Sequence, residues 1–166
     1  MPEIFDIVDE NDQIIGQDTR ANVHKNKLRH RSVHIFVFNS KGELFIQERA
    51  LDKDEFPGYW DSSCSGHIDH GEEPDFSAHR ELKEELGIET SLRFLNKFPA
   101  CPESGMEFNY FYVCTYDGEL TLQKEEIITG KFLHIDTIKQ EIEKGTRKYT
   151  GNFVIVFKWW WEHQKL

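Results

Sequence analysis

The sequence predicts a single α/β domain, because stretches with a two-residue hydrophobic period alternate with stretches of helical period. Val33–Asn39 and Phe108–Tyr116 give the clearest strands, and the stretch between Pro74 and Gly87 the clearest helix. Size is the third observation: 166 residues with no internal repeat, low-complexity tract or second domain suit one core.

Composition narrows the function classes. A hydrophobic fraction of 38% with 13% aromatics belongs to a folded chain. The net charge of −10 and isoelectric point near 5.2 argue against non-specific binding to nucleic acid or to an anionic membrane. An anionic substrate therefore needs local neutralisation, by bound cations or by a few Arg and Lys. Cys64, Cys101 and Cys114 are an odd set without a C-x-x-C spacing, which points to a reducing compartment rather than a disulfide framework. The acidic start lacks a signal-peptide core, and the longest apolar runs fall short of a membrane span. A cytoplasmic location is the expectation.

Taken in order, residues 1–30 read as N-terminal strands and a connector. Ile4–Val8 and Ile14–Ile15 are short strands about an Asn-Asp turn. Residues 18–32 are polar and basic, an irregular connector whose Arg20, Lys25, Lys27, Arg29 and Arg31 are candidates to hold phosphate. Val33–Asn39 and Glu43–Arg49 flank the turn Ser40-Lys41-Gly42 as a hairpin, with Arg49 facing the loop that follows. Trp60, after Pro57-Gly58, is a packing residue. Ser91–Pro99, Phe108–Tyr116 and Lys131–Ile135 are further strands, and Asp136–Lys144 is a helix capped by Asp136 and stopped by Gly145. Residues 151–166 hold a C-terminal helix, Phe153 to His163, whose aromatic face serves the core or a homodimer contact.

Residues 66–88 carry the chemistry. Loop residues Gly66, Asp69 and Gly71 lead into a helix with Phe76, Ala78, Leu82 and Leu86 as its expected buried set. Glu81, Glu84 and Glu85 stand three and four residues apart, so they project from one side of that helix. Carboxylates so placed repel, and a hard divalent cation turns the repulsion into a binding site.

Gly66, Glu72, Arg80-Glu81-Leu82, Glu84-Glu85 and Gly87-Ile88 match the Nudix box, G-x5-E-x7-R-E-U-x-E-E-x-G-U, at every position, and the chain resembles the Nudix hydrolases. That resemblance implies an α/β/α sandwich with a mixed sheet. It implies Mg²⁺, with Mn²⁺ as a substitute, held by Glu81, Glu84, Glu85 and the Gly66 carbonyl. It implies water attack on a small-molecule substrate, a nucleoside diphosphate linked to another moiety. It makes Arg80 and Glu72 a structural pair bracing the loop, and gives Arg49 a place facing the diphosphate, with Arg31 as a second candidate. Glu84 and Glu85 are catalytic as metal ligands. The general base falls outside the box, at Glu126 or at Glu107.

A second resemblance competes. His24, His30, Glu48-Arg49-Ala50, Phe56–Trp60, Ser65-Gly66-His67 and Glu107 are similar to segments of type I isopentenyl diphosphate isomerases. In that family a cysteine precedes the Gly-His pair, where this chain has Ser65, and a second carboxylate falls where it has Asn109. Counterparts of isomerase metal ligands remain at His24, His30, His67 and Glu107, so a second cation site stays open. A non-catalytic nucleotide-binding module is the remaining alternative.

Overall fold

A computed structural model of the chain describes residues 2–164. Strands β1 (Ile4–Val8) and β2 (Ile14–Thr19) form an antiparallel ribbon. Its turn is fixed by Asp9, whose Oδ1 accepts the N–H of Asn11 and of Gln13. Residues 18–32 are not the irregular connector the composition suggested. They hold the end of β2, the helix α1 (Arg20–Lys25) and the start of β3 (His30–Phe38). Thr19 caps α1 by accepting the Asn22 N–H, and Val23 anchors it in the interior. One buried residue in six leaves no period to read.

The main sheet places β3 at its centre. Its neighbours are β4 (Leu44–Arg49), antiparallel, and β8 (Glu107–Thr115), parallel, so the sheet is mixed. Strand β7 (Arg93–Phe98) pairs with β8, and β9 (Ile127–Leu133) and β5 (Trp60–Asp61) pair with β4. The expected β3–β4 hairpin is joined only at Phe38 and Leu44, because β6 (Cys64–His67) takes the N-terminal half of β3, from Ser32 to Ile35. The fork between β4 and β6 opens the sheet at one end, where the pocket lies.

Alternation along β3 divides the core into two layers. Val33, Ile35 and Val37 face α2 (Pro74–Leu86), packing with Ala78, Leu82, Leu86 and Ile88. Phe36, with Phe111 and Val113 of β8, faces α3 (Ile135–Lys144) and α4 (Gly151–His163), meeting Ile138, Phe153, Val156 and Phe157. Each fully buried Leu or Phe here contributes about 1.5–3 kcal/mol. Helices on both faces of a mixed sheet give the expected α/β/α sandwich.

Two expectations change in detail. Phe76 is 62% exposed, because it lies two residues, about 200°, from Ala78; the inward position goes to Ser77. Helix α3 is capped by the His134 side chain, which accepts the Asp136 N–H, and starts one residue before Asp136. Gly87 ends α2 in the left-handed conformation, φ 68°, donating to the Leu82 and Lys83 carbonyls. Trp60 packs on the second layer beneath the Arg147 guanidinium, 4.6 Å from its ring centre.

Candidate metal and substrate pocket

The open end of the sheet forms a pocket bounded by β6, α2, the loop after β4 and the residues leading into β8 and β9. Helix α2 lies across β6 so closely that a Cβ on Gly66 would come 2.2 Å from the Glu81 carboxyl carbon. Glycine is required there by that approach. Glu81 and Glu85 are therefore pressed together beneath the sheet, and Glu85 is only 5% exposed. Gln47 of β4 donates to Glu85 Oε1 at 2.8 Å. Burial raises both carboxyls, Glu81 to about 6 and Glu85 well above the usual range, the latter pushed further by its charged neighbour Glu81. Two buried acids that cannot both ionise unaided are a donor set that fits a divalent cation.

Arg80 braces this cluster from the helix side. Its Nε and one terminal nitrogen hold Glu72, at 3.0 and 2.8 Å, and the other contacts Glu81 and Glu84 at 3.0 and 3.2 Å. Glu72 also accepts from Ser77 Oγ. Burial works against ionisation of Glu72, but the Arg80 hydrogen bonds prevail and hold its carboxyl low.

A second cluster stands beside the first. His24 of α1, His30 of β3, His67 of β6 and Glu107 of β8 bring one ligand atom each within 4.8 Å of one another. The register explains it: His30 is the direct partner of Glu107 across β3 and β8, and Ser32 pairs with His67 across β3 and β6. His67 Nε2 is 2.9 Å from Glu107 Oε1 and 3.3 Å from His24 Nε2. The buried His30 Nε2 has no hydrogen-bond partner, and its Nδ1 is held by the Leu28 carbonyl at 2.8 Å. Phe5 of β1 stacks on both His30 and His67 and closes the cluster from outside. Burial penalises the Glu107 carboxylate, yet the facing imidazoles of His30, 3.5 Å away, and His67 hold its carboxyl well below the usual range. Convergent ring nitrogens and one carboxylate form a set suited to a cation that prefers nitrogen donors.

The pocket collects Gly66, Glu81, Glu84, Glu85, Glu107, Glu126, Arg49 and Arg80 in its lining. Arg49 turns towards it beside Asp61, at 3.4 Å, while donating two bonds to the Glu55 carbonyl. Arg31 is not brought in. Its guanidinium is spent on the buried Asp12, at 2.7 Å to the carboxylate and to the carbonyl, where it locks the β1–β2 turn to β3. Arg20, from the same basic stretch, lines the pocket instead, paired with Glu3 and Asp54. The two candidate bases differ. Glu107 is committed to histidines, and Glu126 forms an ion pair with Lys53. Reasoning from sequence passed over Lys53, in the loop after β4, because nothing in its spacing marks it, and named Phe56 of the same loop only within the segment similar to the isomerases.

The positions that would make an isomerase are occupied differently. Ser65 Oγ donates to Asp61 at 3.3 Å, and the neighbouring Cys64 is fully buried against the α2 layer, its thiol pushed up by burial. Asn109 is buried, bonded to Ser32 and, at 2.8 Å, to Asn152, both of which also donate to the Glu107 carboxylate at 3.0 Å.

A mixed sheet between helices, with an acidic helix crossing a glycine strand, defines a Nudix-type domain. Residues 28–153 match the NUDIX domain family, and the chain belongs to it. It is 33% identical over 163 residues to an isopentenyl-diphosphate Delta-isomerase of Serratia proteamaculans, covering 95% of this chain and 91% of that protein. It is 35% identical over 163 residues to an uncharacterised Nudix hydrolase of Listeria monocytogenes, covering 93% and 90%. Among solved structures, a Deinococcus radiodurans protein superposes with a TM-score of 0.83 at 27% identity, covering 94% of this chain and 98% of that one.

Proposed function

We propose that the protein is a divalent-cation-dependent pyrophosphohydrolase that cleaves the diphosphate linkage of a small molecule, a nucleoside diphosphate joined to another moiety. The observation that carries this reading is the pair of buried, mutually repelling carboxylates, Glu81 and Glu85, set against Gly66 and open to a pocket rimmed by basic side chains. Glu81, Glu84, Glu85 and the Gly66 carbonyl would hold Mg²⁺, with Mn²⁺ able to replace it; the ion would neutralise diphosphate charge and acidify the attacking water. Arg49, Arg20 and Lys53 face the phosphates, exchanging carboxylate partners for substrate oxygens. Glu126 takes the proton of the attacking water. Glu107 is too acidic for that work, since its histidine partners stabilise the charged form.

The histidine cluster favours a second reading, an isomerase acting on isopentenyl diphosphate, and relatives of that name stand close. Against it, a double-bond shift needs a proton donor and an acceptor on opposite faces of the substrate. Ser65 and Asn109 replace both expected reagents, and each is spent on internal hydrogen bonds. The cluster suits a cation in either reading. No helix among the described residues is long and apolar enough to cross a membrane.

The test is phosphate or nucleoside-monophosphate release from a panel of diphosphates, with Mg²⁺, with EDTA, and with Glu84→Gln/Glu85→Gln protein. Metal-dependent release, abolished in the double variant, is the expected result. Conversion of isopentenyl to dimethylallyl diphosphate without any release would move the protein to the isomerases.

A further inference from the structure

The pocket is lined by charged and hydrogen-bonding side chains with one exception. Among the described residues Phe56 is the single apolar side chain that reaches it. Phe56 stands in the loop between β4 and β5, and 44% of it is exposed. Its backbone has φ 49°, a left-handed conformation that an aromatic residue rarely adopts.

The turn that imposes this conformation is well secured. Arg49 donates to the Glu55 carbonyl at 3.1 and 2.9 Å, and the Tyr59 N–H donates to the Phe56 carbonyl at 3.2 Å. The Tyr59 ring meets Phe56 in a T-shaped contact, with centroids 5.4 Å apart. Lys53, in the same loop, is tied to Glu126 across the pocket. The fold thus holds a strained backbone while leaving nearly half of the ring uncovered at the pocket. Strained backbone over-determined by its surroundings clusters at ligand sites.

We infer that Phe56 is a stacking platform for a planar heteroaromatic ring, the base of a nucleoside diphosphate whose phosphates face the acidic helix. This rests on the pyrophosphohydrolase reading and adds to it the side chain that meets the base. A flat ring needs one aromatic face and tolerates polar walls at its edges, where its nitrogens and oxygens bond. A branched alkyl chain needs apolar walls on several sides, and this pocket offers one. Stacking accepts every base, so the platform selects a class rather than a particular nucleotide.

The decisive comparison is between Phe56→Asn and Phe56→Tyr. Asparagine tolerates the left-handed backbone and removes the ring; tyrosine keeps the ring. Hydrolysis of nucleoside-diphosphate-linked compounds is compared with that of tripolyphosphate, which has no base, and melting temperature is measured for each protein. With Phe56→Asn, KM for base-bearing compounds should rise about tenfold, the weight of one base–aromatic stack. The change for tripolyphosphate should be under about twofold, the melting temperature equal or higher, and Phe56→Tyr near wild type. An equal effect on both substrates, or a lower melting temperature with no selective rise in KM, would overturn the stacking role while leaving the hydrolase intact. If wild type hydrolyses no diphosphate, that reading falls. Calorimetric binding of ADP and of tripolyphosphate to the same proteins then decides Phe56 separately: loss of ADP affinity alone upholds it, and parallel affinities refute it.

Discussion

At the scale of single residues, the site depends on charges that their surroundings force into unusual states. His34 of β3 is fully buried, with Nδ1 held by Ser62 Oγ at 2.9 Å. Burial lowers its pKa, against the opposing pull of Asp61 and Glu107. A histidine kept neutral when folded takes up a proton only on unfolding, so its contribution is present above about pH 6.5 and is lost as pH falls towards the depressed folded value. His34→Gln should therefore flatten the decline of unfolding free energy between pH 7 and 5, measured by urea titration; an unchanged slope would remove His34 as its source. Arg80 offers another test. Its fork holds Glu72 while reaching Glu81 and Glu84, and lysine cannot reproduce that geometry. Arg80→Lys should cost about 1–3 kcal/mol of stability and weaken cation binding, both read by thermal denaturation with and without Mg²⁺.

At the scale of elements, α2 is the part of the protein its own sequence describes best. Spacing alone puts three carboxylates on one side, and the Pro74 start and Gly87 stop fall where expected. Leu82 anchors the helix, buried completely between Glu81 and the sheet layer. Leu82→Ala should cost about 2–5 kcal/mol and loosen the carboxylates with it, so cation affinity and melting temperature fall together. A fall in stability alone would show that Gly66 and Gln47 suffice to hold the site. Less of the neighbouring elements could be read. Helix α1 is too short for a period, and the fork that lets β6 displace β4 from β3 is a tertiary choice invisible in either strand. Phe76 looked buried because it is apolar, although helical geometry turns it outward. Arg20 and Arg31 are alike in a list of basic residues; only the buried Asp12 separates them. The histidines were suggested by resemblance and not by spacing, since four separate elements supply the cluster.

At the scale of the whole molecule, a chain of net charge −10 gathers acidic groups at one end of its sheet. Metal-free protein should carry the signature of Glu81 and Glu85. Their folded pKa values lie above the ordinary 4.5, so the folded state keeps a proton the unfolded chain gives up. The contribution of these two carboxyls to stability therefore falls as pH rises from about 4.5 through about 6 and does not recover above it. A bound divalent cation reverses this. Mg²⁺ at a hundredfold excess over its dissociation constant should add about 2.7 kcal/mol, or roughly 5–10 °C of melting temperature for a domain of this size. The gain should be large at pH 8 and small at pH 5, by differential scanning fluorimetry. An equal gain at both would place the cation away from these buried carboxyls.

The parallel pairing of β3 with β8 joins residues seventy-odd positions apart, and His30 meets Glu107 only when that zipper closes in one alignment. Side chains alternate across a strand, and Glu107 shares its face with Phe111 and with Asn152 of α4, so a slip of one position would carry it to the opposite face, the one that packs on α2. A slipped Glu107 would lose its contacts with Ser32, Asn152 and His67, and the misaligned chain would be correspondingly costly. The polar cluster thus doubles as a checkpoint on assembly: a molecule that has its histidines and Glu107 together has already aligned its central strands. Metal uptake during refolding would report that alignment directly, as a late event that follows the slow closure of this long-range pairing.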